Sequence, residues 1–205
     1  MNKLAMIVLG LGVIGSGACG KKGSGGNGSA ASGTGLAIDA AAVNSLVPAA
    51  LKDKLVFEKR DIVLERGRDK TTYTLAAPKG WEQGMKSFGN LDAPKDSGMG
   101  FLTKFSVGSN CDGTCEPKKW EEIADKVNFA PLAKGKVLKD VKGKNNRLMI
   151  ATSEGGMNTT VVVFAWWSDG ASSYRTCQAS LDDAIKDAAP AFEKACQAIT
   201  VSGDD

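Results

Sequence analysis

The sequence predicts an α+β domain with a mostly antiparallel sheet and flanking helices. Three observations carry that expectation. Turn-forming residues at Arg66-Gly67-Arg68-Asp69 and Gly143-Lys144-Asn145-Asn146 each separate two strand-like runs. The run Thr160 to Trp167, TVVVFAWW, is apolar at odd and even positions alike, as in a central strand covered on both faces. Apolar residues also recur at helical spacing over 117–129 and 181–199.

Taken in order, Asp39 is placed to cap a short helix running to Leu46, with Val43, Leu46 and Val47 on one side, until Pro48 interrupts it. Segments 54–65 and 70–77 form the first hairpin. In its second arm Tyr73 and Leu75 share one face while Thr72 and Thr74 take the other. Ala77-Pro78-Lys79-Gly80-Trp81 ends that arm, because Pro cannot donate to a ladder and Gly frees the turn. A loop follows to Gly100, then a third strand over 101–107 with Phe101, Thr103, Phe105 and Val107 on one face.

A helix over 117–129 begins at Pro117 and carries Trp120, Ile123, Ala124 and Val127 on one stripe. Segments 136–141 and 147–152 form the second hairpin, and 174–179 is the last strand. Ser180 offers an N-cap to a closing helix, with Leu181, Ala184, Ile185, Ala188, Phe192, Ala195, Cys196 and Ile199 on its stripe. Pro190 either kinks that helix or opens a second one. The tail from Ser202 is expected to be loose.

Ahead of this domain, Lys3 precedes an uncharged apolar run, and Gly15-Ser16-Gly17-Ala18 are all small before Cys19. Leu4 to Ala18 would span roughly 22 Å as a helix, short of the roughly 30 Å hydrocarbon core. An export signal over 1–18 therefore fits better than a membrane span. Ser16-Gly17-Ala18-Cys19 resembles the lipobox of bacterial lipoproteins, although that family usually has Leu where Ser16 stands. The resemblance implies cleavage before Cys19 and acylation of its sulfur, so that the partner of the chain is a membrane. Gly20 follows, where the family's inner-membrane retention signal typically has Asp, which implies the outer membrane. The small residues Ser16 and Ala18 equally suit ordinary signal-peptidase cleavage, which would leave a soluble secreted protein.

The tract 21–35, KKGSGGNGSAASGTG, has nothing to bury and is expected to be a disordered tether. As a coil it would span on the order of 20 Å. Residues 36–205 then form a single globular domain, long enough for a full core. Net charge is +3 on 26 basic and 23 acidic residues, which argues against a nucleic-acid partner.

There is no histidine, so the usual general base of hydrolases and the commonest metal ligand are both missing. No nucleophile elbow, phosphate loop or dinucleotide fingerprint occurs, and neither cofactor nor metal is expected. Beyond Cys19, the even set Cys111, Cys115, Cys177 and Cys196 reads as disulfides in an exported chain. Of the three pairings, 111–115 with 177–196 is favoured. A zinc site built from all four cysteines, or a redox pair at Cys111 and Cys115, is disfavoured because the one short-spaced pair is separated by three residues, where such motifs use two.

Trp120, Trp166 and Trp167 read as core, which leaves Trp81 as a candidate ligand contact. The basic run Lys134, Lys136, Lys139, Lys142, Lys144 and Arg147, relieved only by Asp140, is a candidate contact for an anionic surface. A solvated hairpin is the commoner role for such a run. The element order, with TYTLAAPKGWE early and a central apolar strand before the closing helix, resembles the αβα sandwich of PsbP-like proteins over about 54–201. That resemblance brings no catalytic residue with it. The function expected is a membrane-anchored envelope lipoprotein whose head binds or scaffolds an envelope protein or polymer without turnover. The alternative is a small periplasmic hydrolase using Glu82, Asp92 and Asp96 from loop 82–100.

Overall fold

A computed structural model describes residues 38–110, 129–153, 159–168, 171 and 173–203. The signal, the tether, Cys111 and Cys115, and all but Phe129 of the expected 117–129 helix lie outside them. The described residues form two antiparallel sheets with few helices. Among the described residues the fold is therefore mixed but sheet-dominated.

The small sheet holds β1 (Phe57–Arg66), β2 (Asp69–Pro78) and β10 (Thr200–Gly203) in the order β1-β2-β10. The large sheet holds, in spatial order, β3 (Glu82–Gln83), β4 (Gly89–Asp92), β5 (Lys104–Asn110), β9 (Tyr174–Leu181), β8 (Thr160–Trp166), β7 (Asn146–Thr152) and β6 (Val137–Lys142). Three helices accompany them among the described residues: α1 (Ala40–Asn44), α2 (Phe129–Leu132) and α3 (Ala189–Gln197).

Asp39 caps α1 by accepting from the backbone N–H groups of Ala41 and Ala42 at 2.9 and 3.0 Å. Asn44 then fastens the helix to the sheet, because its side-chain amide both donates to and accepts from the backbone of Phe57 at 2.8 and 2.7 Å. Val43 and Val47 are buried, but Leu46 is 42% exposed and leaves the expected apolar side. The first hairpin forms as predicted, with Arg66 opposite Asp69. Gly67 takes φ +66° at the first central position of its two-residue turn, where the primed turns that match strand twist need a positive φ.

β8 is buried at every residue, and its alternate side chains feed two cores. Val162, Phe164 and Trp166 face the larger one, shared with β1, β2, β5 and α3. Val161, Val163 and Ala165 face a smaller one with Phe129, Leu132, Met149, Trp167 and Tyr174. Helix α3 touches β2 of the small sheet and β8 and β9 of the large one. Its Phe192 reaches Phe57 at 5.0 Å and Phe105 at 5.3 Å between ring centroids, which ties the two sheets together.

Four expectations need correction. Loop 82–100 contains β3 and β4, whose two and four residues are too short to display a period. The third strand begins at Lys104, and Phe101 stands 83% exposed. Ser180 belongs to β9 and caps no helix, since the chain turns through residues 182–188 and the helix starts at Ala189 with Pro190 in its first turn. The tail is not loose at Ser202, which pairs with Thr72 in β10. At Gly89, a Cβ would lie 1.9 Å from the carbonyl oxygen of Val107, so only glycine lets β4 approach β5 this closely.

Candidate functional site

The basic run folds as the β6–β7 hairpin, closed by Gly143 donating its N–H to the Asn146 carbonyl at 2.8 Å. Lys142 lies opposite Arg147, Asp140 opposite Met149, and Val141 opposite Leu148. That register separates the cations. Lys139 lies opposite Ile150, a residue of the larger core, and reaches Glu193 of α3 at 2.6 Å. Arg147 takes the other face, where its guanidinium lies 4.6 Å from the Phe129 ring centroid.

Arg147 does not belong with the surface lysines. It is buried, and it grips Asp140 through Nε at 2.9 Å and Nη2 at 2.8 Å. Its fork is committed to the hairpin and cannot also meet an anionic surface. Lys134, Lys136, Lys139, Lys142 and Lys144 do stand exposed. The hydrogen bond from Arg147 holds the Asp140 carboxyl below its ordinary 3.8; partial burial opposes that, and the charges of Arg147 and Lys142 add to it. A lowered folded value means that the pair stabilises the fold above pH 3.8 and loses that contribution as pH falls through the folded pKa. Asp140→Asn is expected to cost about 2 kcal/mol at neutral pH. Urea titrations of both proteins below pH 3.8 should show the gap closing. A gap that persists into strong acid would mean the carboxylate charge contributes nothing.

The second region lies around the 92–95 segment, which walls two hollows. One, of ≈ 560 Å³, is bordered by Gly80, Glu82, Gln83 and Gly84; the other, of ≈ 420 Å³, by Met99, Phe101, Thr103 and Lys104. Glu82 lies directly opposite Asp92 across β3 and β4, so these two carboxylates come together beside the larger hollow. Asp96, in a 3-10 turn over Lys95–Ser97, lines neither hollow. Glu82 and Asp92 are exposed on the sheet's outermost strands.

Trp81 is not a contact residue. It is 1% exposed, its ring lies 6.0 Å from that of Phe192, and its carbonyl accepts from Nη1 of Arg60. Cys177 and Cys196 are bonded, with Cα atoms 5.4 Å apart, joining β9 to α3. Cys19, Cys111 and Cys115 lie outside the described residues.

Sequence reasoning missed the exposed apolar side chains Val137, Leu138 and Val141, which β6 carries among its lysines. The available signal was the mixed pattern VLKDVK, which offers no fully apolar face. Among the described residues no three acidic or sulfur ligands are grouped to hold a metal ion, and no helix is long and apolar enough to cross a membrane. No family model matches the chain, and no curated protein matches it either.

Proposed function

We propose that this is a bacterial envelope lipoprotein, held at the outer membrane by acyl chains on Cys19, whose head binds or scaffolds a partner in the envelope without turning it over. The observation that carries the reading is the buried Cys177–Cys196 bridge. Such bonds persist in oxidising compartments, and the signal at 1–18 would deliver the chain to one. Two or more acyl chains give stable anchoring at about 0.8 kcal/mol per buried methylene, so attachment needs no spanning helix. We read the head as an α+β sandwich similar to PsbP-like proteins; β8, buried on both sides and followed by β9 and α3, supports that order. Binding is favoured over turnover because Glu82 and Asp92 are solvated.

Expression of the full chain in a bacterium with a lipoprotein-processing pathway tests the anchor. The wild type is expected almost wholly in the membrane fraction, with an intact mass exceeding that of the cleaved polypeptide by its lipid. Cys19→Ser is expected in the soluble fraction. A wild-type protein recovered soluble, without added mass, overturns the lipoprotein reading.

A further inference from the structure

We propose that the β6 edge of the large sheet is a docking surface for an anionic phospholipid bilayer; the proposal rests on the membrane-anchored reading for the nearness of that bilayer. An ordinary edge strand hides one face against the core. Here β6 bounds the seven-stranded sheet with all six residues exposed, Val137, Leu138 and Val141 among them.

Among the described residues of this hairpin the charge is one-sided. Asp140 is neutralised by Arg147, and Glu193 by Lys139. Lys134, Lys136 and Lys144 stand exposed beyond those two pairs. Cations interleaved with short apolar side chains suit a bilayer surface, where ammonium groups meet headgroup phosphates and Leu and Val side chains enter the acyl boundary. An added peptide strand fits less well, because the β6–β7 register shifts between Val137 and Lys139 and breaks the regular ladder that strand addition uses.

The position is reachable. Helix α1, which the 21–35 tract precedes, packs on α3, and α3 holds Lys139 through Glu193. Nine residues of α3 span about 13 Å, and the 18 residues from 20 to 37 can reach at most about 60 Å. A head fixed at Cys19 can therefore lay this hairpin on the leaflet that holds its own anchor.

The test removes the anchor and keeps the head. Both sheets, α3 and the disulfide fall within residues 38–203, so the chain from residue 19 with Cys19→Ser retains the fold. Its sedimentation with phosphatidylcholine vesicles is compared with and without roughly one-third phosphatidylglycerol, at low and high salt. Binding is expected only to the anionic vesicles, and salt should weaken it. Each lysine near such a surface is worth about fivefold in partitioning, so Lys134→Gln, Lys136→Gln and Lys144→Gln together should lower it on the order of a hundredfold. Leu138→Ser with Val141→Ser should remove the part of the binding that survives high salt. Both variants alter exposed positions and should keep the wild-type melting temperature, which excludes misfolding as the cause of a loss. Equal binding to neutral vesicles overturns the proposal. So does tighter binding to soluble poly-glutamate than to vesicles, which would make an acidic polymer or peptide the occupant. Because the protein tested carries no acyl group, a failure here leaves the Cys19 fractionation result untouched.

Discussion

Phe192→Ala is expected to lower the unfolding free energy by about 4 kcal/mol. The side chain is 0% exposed and meets three other aromatic rings: Phe57 of β1 at 5.0 Å, Phe105 of β5 at 5.3 Å and Trp81 at 6.0 Å. Phe57 and Phe105 belong to different sheets, so truncation would open a cavity at the seam where the sheets share one core. The backbone around it is held by strand ladders and cannot collapse to refill the space, which places the cost high in the range for aromatic truncation. A midpoint shift of about 8–16 °C follows for a domain of this size. Phe101→Ala removes the same atoms from a side chain that is 83% exposed, and it should stay within about 0.5 kcal/mol of the wild type. If chemical denaturation found the two variants equally stable, Phe192 would not be joining the sheets.

Reading the chain residue by residue recovers those parts of the fold whose cause is local. Asp39 caps α1 because an N-cap needs only itself and the next turn. Gly67 closes the first hairpin because a tight turn needs one residue at positive φ. β8 is legible because six successive apolar positions after Thr160 leave no wet face. The misses have non-local causes. β10 has one buried residue, Val201, and exists because β2 offers it an edge. Leu181, Ile185 and Ala188 are buried as the helical stripe predicts, but by a strand end and a 3-10 turn, since Pro190 cannot sit inside a continuous helix. Spacing alone does not separate those alternatives.

The candidate site divides the same way. Five lysines are exposed where their charge alone places them. Arg147 differs from them because Asp140 reaches it diagonally across the hairpin and Phe129 lies beneath its guanidinium, neither of which a count of positive residues reveals. Trp81 sits in turn-like sequence, yet it is buried by a phenylalanine more than a hundred residues further along the chain. The cross-strand approach of Glu82 to Asp92 depends on β3 and β4, whose pairing is too brief for any periodicity to signal.

Replacing Cys177 and Cys196 together by alanine is expected to cost about 3 kcal/mol, the loop-closure value for a bridge across a sequence separation of 19. Cys177 sits inside β9, opposite Val107 on one side and Phe164 on the other, and Cys196 lies on the inner face of α3. Both sulfurs are fully buried. A reductant therefore reaches them only when the helix opens from the sheet, so the native protein should resist a thiol reagent that acts at once when denaturant is present. Two denaturation curves check this. The wild type unfolded in reductant should match the double alanine variant, and the oxidised wild type should lie about 3 kcal/mol above both. Coincidence of all three curves would mean that the covalent link merely duplicates a contact the core already enforces. The redox state in the cell bears on location independently of lipid. If alkylation of protein taken directly from its host trapped both positions as free thiols, the chain would reside in a reducing compartment, and export along with the Cys19 anchor would have to be abandoned.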